Sequence, residues 1–508
     1  MAHSALFDGA MAWPDLFLRS TASFVLLALL AACGGRDEGA IDVALIGSED
    51  TAFATSLRLS PSAQHIRAAA ESGLVSFNGR GEVVPALAER WVPTDGGKSY
   101  FFRLREGTWP DGSELNATSA RTALLSAIDQ LEGTSLALDL EVIAEVRAMT
   151  DRVLEIRLDA PEPYLLQLLA QPELALRRQG GGTGPLLVER TDGGAVLSFK
   201  SPLERGQPMR EDWQDDVRDI DLRITGAAEA IALFDEGQVE VVLGGDLSGL
   251  TLVETGPLST GTLRIDAPYG LFGILVRRDE GLLGDAGVRE AIAMALDREL
   301  LMADFNIGGW VPTTRPVSPR LPGDPGLIAE RWNGQLVADR RLTALSRVQA
   351  WRRQSEEESD PSSPAVLSIA MGSGPGWDVL FDNLALQLAE IGIRLERAED
   401  RTAADLLMID TIARYPAPRW FLNQFNCSLR RGLCSEEVDA LVAEALAEVD
   451  PARRAVLMAQ AEAALTLENV YIPIGSPLRW SLVRGSVDGY VANAHAFHPL
   501  PDLAEIPR

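Results

Sequence analysis

The segment TIARYPAPRWFLNQFNC, Thr411 to Cys427, directly follows the apolar run DLLMID at 405–410 and gathers prolines, arginines, aromatic rings and a cysteine into one short stretch. Guanidinium groups in such a setting present planar forks that pair with carboxylate or phosphate, and the rings offer faces for stacking. The chain has three cysteines, Cys33, Cys427 and Cys434. The last two are close in sequence. In an oxidising compartment they are expected to close a local disulfide, worth roughly 2–3 kcal/mol in the chain-entropy model. Two buried free thiols are the alternative. A zinc site would need further Cys or His nearby, and the neighbouring sequence has none.

Other candidate chemistry is sparse. Of the four histidines, His3, His65, His495 and His498, the last two have a spacing that could serve a metal, but no third ligand is evident. A core or surface pair is the plainer reading. The zinc-protease HExxH and nucleophile-elbow GxSxG patterns are absent. Gly96-Gly97-Lys98-Ser99 resembles the end of a phosphate-binding loop, but the motif's first glycine would fall on Val92. The glycine clusters at 180–184 and 372–376 lack dinucleotide-binding spacing. Carboxylates abound and no pair stands out, so a secreted hydrolase is disfavoured and no metal, cofactor or catalytic residue is expected. The formal net charge of -27 disfavours binding to a nucleic-acid backbone. Its plain role is solubility, and a field that steers cations is the sharper reading.

The elements that position these residues begin with the N-terminus. Arg19 precedes the apolar run SFVLLALLAA (23–32), too short to span a bilayer and ending in small residues, as in a secretory signal. Leu30-Ala31-Ala32-Cys33 matches the lipobox of bacterial lipoproteins. Residues 1–32 are therefore expected to be a signal peptide, and 33–40 a lipidated N-terminus and linker. Acyl chains contribute about 0.8 kcal/mol per buried methylene to anchoring. Asp8 and Asp15 are odd in a positive leader, which leaves Met11 or later as an alternative start. A plain secretory signal with an incidental cysteine is the alternative to the lipoprotein. No later apolar run is long enough to span.

Beyond the linker, strand-like and helix-like patterns alternate. IDVALIG (41–47) reads as a strand, 91–115 as a hairpin region turning at DGG (95–97), and 116–129 as a helix. VLEIRLDAPEPYLLQLLA (153–170) reads as strand, turn and helix, and 227–247 as a helix stopped by Gly237 and followed by a strand. The stretch 284–305 reads as one amphipathic helix capped by Asp285, with Val288, Ile292, Ala295, Leu296 and Leu300 on a shared face. Arg289, Asp297 and Arg298 on that helix suggest surface or interlobe ion pairing. Residues 366–399 form a β-α-β unit with Gly392 at the helix C-cap, LLMID (406–410) is a buried strand, 435–449 is helical, and Asp450-Pro451 starts a further helix. The polar, acidic stretch 354–364 reads as a loop. Two separated regions of alternation imply an α/β fold with two lobes.

Several stretches together resemble the extracytoplasmic solute-binding proteins of ABC importers, in the class that includes oligopeptide-, dipeptide- and nickel-binding members (solute-binding protein family 5). They are GLVSFNGRGEVVPALAERW (73–91), YFFRLREGTWPDGSELNATSA (100–120), GTGPL (182–186), VREAIAMALDRELLM (288–302), LQLAEIGIRLE (386–396) and IPIGSPLRWSLVRGSVDGY (472–490). The resemblance implies a two-lobed periplasmic-binding-protein clamp with an extra third domain and a hinge between lobes. Lobe I would comprise 41–72, 165–267 and 475–508, the extra domain 73–164, and lobe II 268–474. A peptide-like or other small solute would sit between the lobes, and the closed form would dock on a permease powered by cytoplasmic ATPases.

The resemblance also assigns a role to the opening segment. Peptide-binding members carry a pattern similar to D-Y-x-[DE]-P-x-x-F-L after a lobe II strand, and its leading aspartate holds the peptide α-ammonium. Tyr415, Pro418, Phe421 and Leu422 keep that pattern, whereas the acidic positions are Arg414 and Ala417. Either the solute carries an anionic group that Arg414 contacts, or Arg414 pairs with a neighbouring acid such as Asp410 and shapes the loop. The pattern makes Tyr415 a candidate ligand-binding residue beside Arg414, and position along the chain adds Tyr269, Phe272, Trp377 and Trp420, core packing being the alternative for Trp377 and plugging the loop that for Trp420. Some members carry a short-range disulfide after this loop, matching Cys427 and Cys434. The expected protein is a lipid-anchored, monomeric, non-enzymatic periplasmic binder in a Gram-negative cell envelope. A non-transport lipoprotein acting as sensor, chaperone or scaffold is the alternative.

Overall fold

The structure, a computed structural model, describes residues 39–178, 181–253, 261–354 and 364–506. The signal, the lipobox with Cys33, and most of the acidic loop lie outside the described residues.

Two mixed sheets organise the chain. The first has seven strands in the order Leu186–Thr191, Gly194–Phe199, Ile220–Thr225, Ile41–Ile46, Val241–Gly245, Arg479–Val483 and Leu263–Asp266. Ile41–Ile46 runs parallel to both neighbours, and the remaining pairs are antiparallel. The second has five strands in the order Ile393–Arg397, Ala365–Ala370, Leu406–Ile412, Gly270–Val276 and Tyr471–Gly475. The chain passes from the first sheet to the second between Asp266 and Gly270, and returns between Gly475 and Arg479. A third layer is the antiparallel sheet Ala88–Thr94, Ser99–Leu104, Val153–Leu158, Ile143–Thr150, with the helices Ala117–Gln130 and Ser135–Leu140 in the same stretch of chain.

The unbroken apolar run at 406–409 follows from this layering. Leu407 and Ile409 face a core shared with the third layer, while Leu406 and Met408 face a core shared with the helices Ala286–Ala295 and Pro375–Ala389. A strand buried on both faces has no reason to alternate polar with apolar residues. The first sheet does the same: Val43, Leu45, Val241 and Leu243 join one core, Ala44 and Val242 another. Expected caps are present. Asn116 and Ser119 form a capping box on Ala117–Gln130, Asp450 accepts from the Ala452 N–H at 3.1 Å, and Gly392 has φ 78° after the helix at Pro375–Ala389.

The stretch 284–305 departs from the single helix expected. Ala286–Ala295 ends at an extended Leu296 (φ -73°, ψ 120°), and Asp297 caps a separate short helix, Arg298–Met302, by accepting from the Leu300 N–H. Leu300, expected on the apolar face, is 55% exposed. The break turns Arg298 inward. Its Nε donates to the carbonyls of Thr313 and Pro473, and its Nη groups to those of Ala293 and Leu296. Carbonyls that a helix end leaves open are thereby satisfied by a side chain. Arg289 likewise donates to the carbonyls of Leu283 and Glu468. Both arginines are buried on backbone carbonyls, so neither forms the surface or interlobe ion pair expected. Burial brings Arg298 down to about 9. Replacing it strands several buried carbonyls, each worth about 1–3 kcal/mol when left unsatisfied. Arg298→Leu is expected to lower the urea midpoint by the equivalent of about 3 kcal/mol in circular dichroism; an unchanged midpoint would show that the bonds are dispensable.

Candidate functional site

A cavity of about 600 Å³ lies where the two sheets meet beside both chain crossings. The first sheet and its tail contribute Gly245, Asp246, Trp480 and the stretch 495–498; the second contributes 410–414; the third layer contributes Thr134 and Ser135. Its volume is in the range of small-molecule sites. At the crossing, Arg479 Nη1 on the first sheet donates to Asp410 Oδ1 and Oδ2 on the second, at 2.9 and 3.0 Å. Burial raises the Asp410 pKa, and the Arg479 charge opposes that rise. The neighbouring Trp480 donates from Nε1 to the Asp246 carbonyl at 2.7 Å, its ring lying on Gly245. A Cβ on Gly245 would come within 2.2 Å of that ring, so only glycine permits this approach.

A second cavity of about 830 Å³ lies between the third layer and the helices beside the second sheet, lined by Pro161, Pro163, Tyr164, Tyr415, Pro322 and Met458 among others. It does not touch the first sheet. The first cavity lies at the chain crossings and is lined from both main sheets, which makes it the candidate solute cleft.

The profile of the bacterial extracellular solute-binding proteins, family 5 Middle, matches residues 82–430. This chain belongs to the family 5 extracellular solute-binding proteins. It is 23% identical over 448 residues to the dipeptide-binding protein DppE of Bacillus subtilis, covering 79% of this chain and 80% of that one. With the probable di/tripeptide-binding protein 5 of Pseudomonas aeruginosa it shares 24% over 487 residues, covering 83% and 87%. Its fold superposes on Haemophilus influenzae OppA, solved with the peptide RPPGFSPFR, with a TM-score of 0.75 at 18% identity over 92% of this chain and 99% of that one. The clamp architecture expected from the sequence is therefore the fold of this solute-binding protein.

The individual candidates divide between cleft and core. Arg414 lines the cleft, with Nη1 donating to Ser135 Oγ at 3.4 Å and Nη2 lying 3.8 Å from Glu173 Oε1. Its acidic neighbour is thus Glu173, not Asp410. Tyr415 turns the other way, onto the second cavity, stacking on Tyr164 with ring centroids 5.3 Å apart. Its hydroxyl donates to buried Asp139 at 2.9 Å. Trp420 is buried edge-on to Phe421 in the core shared with the third layer. Phe272 and Trp377 pack against each other in the core on the other face of the second sheet. Tyr269 is half-buried and its carbonyl accepts from the Ala413 N–H at 2.7 Å. None of these last four lines either cavity. Cys427 and Cys434 are disulfide-bonded with Cα atoms 5.1 Å apart, and the loop between them carries Leu429 and Arg431 into the cleft wall. Among the described residues no group of three or more His, Cys, Asp or Glu is placed to hold a metal.

Sequence reasoning missed His65, Asp246, Arg431 and Arg479 as cleft residues. His65 lies inside an ordinary helix, Pro61–Ala70, and no local pattern marks it. Its Nδ1–H donates to the Pro61 carbonyl at 2.8 Å, which leaves Nε2 as an acceptor, buried on the cleft wall with no partner. Burial lowers its pKa to about 4, against the pull of the Pro61 carbonyl and with help from His498.

An ordinary histidine in an unfolded chain titrates near 6.5. Above that pH His65 is neutral in both states. Below it the unfolded chain takes up a proton that the fold refuses until about 4. His65 therefore contributes stability that is present above pH 6.5 and lost as pH falls from 6.5 to about 4. Asp139, pushed up to about 6 by burial, works in the opposite sense, its stabilisation being lost as pH rises through about 6. A comparison of wild type with His65→Asn, which keeps Asp139, isolates the histidine. Between pH 7 and 4.5 the wild-type Tm is expected to fall further than that of the variant; parallel Tm curves would contradict this assignment.

Proposed function

We propose that this chain captures a small, peptide-like solute in the cleft between its two main sheets and delivers it to the permease subunits of an ABC importer driven by cytoplasmic ATPases. The cleft itself carries this reading: a 600 Å³ cavity at both chain crossings, where charged and hydrogen-bonding groups from two sheets converge. The peptide-binding names of the relatives support a peptide-like solute. The working bodies are lobe I (41–72, 165–267 and 475–508), the extra domain (73–164) and lobe II (268–474). The strands of the three sheets follow these ranges except at Gly475, the last residue of Tyr471–Gly475 in the second sheet. Arg414 and the wall around it contact the solute. Tyr415 acts indirectly, by holding the loop in place. The protein works as a monomer without catalysis, tethered to the membrane in a Gram-negative periplasm through lipidated Cys33.

Binding to the folded state raises its stability by about 2.7 kcal/mol when solute is present at a hundred times Kd. Protein made without residues 1–33 is expected to retain a bound small molecule through purification, visible by native mass spectrometry. After that molecule is stripped, its Tm is expected to rise when a di- and tripeptide library is added. No retained molecule and no responsive library member would instead favour a scaffold or sensor on the same fold.

A further inference from the structure

We infer that the solute is anchored by a carboxylate group bound at the cationic end of the cleft, between Arg414 and Arg431. This inference rests on the cleft being the solute site.

The charges lining the cleft are not equally free. Among its acids, Asp410 is held by Arg479. Asp266 faces His498 Nε2 at 2.9 Å and accepts from the Asn493 N–H at 2.8 Å and the Tyr490 hydroxyl at 3.4 Å. Asp246 Oδ1 accepts from both the N–H and the hydroxyl of Ser248, capping a short helix. Glu173 accepts from the Gln64 amide at 3.1 Å and lies 3.8 Å from Arg414. The basic side has a surplus. Arg431 Nη1 has only the Gln424 side-chain oxygen, at 3.3 Å, and no described carboxylate comes within ion-pairing distance of it. Burial lowers the Arg431 pKa, and the charges of Arg401 and Arg414 press in the same direction. Arg414 has one carboxylate at 3.8 Å, Arg431 has none in ion-pairing range, and Arg401 lies near enough to press on Arg431, so this end of the cleft carries a positive excess. A monoanion offsets that excess, and a carboxylate fits the guanidinium fork geometrically.

Both arginines are mounted on restrained backbone. Arg414 begins the loop that Tyr415 and Arg419 fasten to the third layer. Arg431 sits inside the Cys427–Cys434 ring. Preorganised donors lose less entropy on binding. The opposite wall offers acceptors in its buried part, His65 Nε2 without a donor and the Asp246 carboxylate, while the exposed Arg58 also lines the cleft. The solute therefore lies with its carboxylate toward the second sheet and with N–H or O–H donors toward the first.

Calorimetric titration of stripped protein with trialanine, N-acetyl-trialanine and trialanine amide separates the ends of the solute. Amidation is expected to weaken binding more than acetylation does, by about tenfold or more. Arg431→Ala and Arg414→Ala are each expected to weaken N-acetyl-trialanine by a similar factor while leaving the amide nearly unaffected. If acetylation costs as much as amidation, or more, the carboxylate anchor is wrong although the cleft still binds solute. If none of the three probes binds, the peptide-like reading of the cleft fails and the inference falls with it.

Discussion

The placement of the cleft wall depends on one buried carboxylate. Asp139, fully enclosed on a short helix of the third layer, accepts from the Tyr415 hydroxyl at 2.9 Å and the Asn423 amide at 2.7 Å. Beside it Arg419 donates to Glu162 at 2.8 Å and to the Leu138 carbonyl at 2.9 Å. Charges this deep are tolerated only when paired and hydrogen-bonded. Burial still pushes Asp139 up to about 6, against the pull of Arg419, Asn423 and Tyr415. The network fastens the loop at 413–423 to the third layer. That fixes Arg414 at the cleft and holds Ser135, on the same short helix as Asp139, within reach of it. The density of prolines, arginines and rings in that loop is thus mainly the chemistry of an interdomain joint. Only its first residues line the cleft.

A second constraint sits at the crossings. Asp410 and Arg479 belong to different sheets, yet they pair within 3.0 Å where the chain passes from one sheet to the other. A pair so close to the axis of relative motion can persist while more distant cleft walls separate. The groups that line the cleft from each side, Arg414 and Arg431 on one and His65 and Asp246 on the other, are thereby presented by two bodies that share a fixed edge.

Much of the architecture could be read from local patterns. The strands at 41–46 and 406–412, the capped helices and the β-α-β unit each carry their own periodicity or cap, and the structure has them all. The failures share a cause, which is that distant partners decide. The helix expected over 284–305 breaks at Leu296 because Arg298 is drawn to carbonyls from 313 and 473, which no local window contains. The helix Val337–Gln354 has few buried residues and gives almost no apolar stripe to read. At the site, Arg414 was legible because a charge stood where the family pattern has an acid. Phe272 and Trp377 look equally suited to a cleft or a core in sequence. Strand register and helix packing, set by neighbours such as Asp410 opposite Phe272, send them to the core. His65 and Arg431 reach the cleft through tertiary placement alone.

The strand Arg479–Val483 lies inside the first sheet, between Val241–Gly245 and Leu263–Asp266. A chain synthesised or threaded from its N-terminus thus lacks an interior strand of its first sheet until Arg479–Val483 emerges. Until then Leu263–Asp266 has no partner in that sheet, Asp246 lacks the Trp480 ring beside it, and Asp410 lacks its arginine. Closure of so long a loop is slow and cannot start early. The cleft is consequently among the last parts of the molecule to exist. Such an order of assembly ties the cleft to the late strand, because no pocket can form before that strand has joined the sheet.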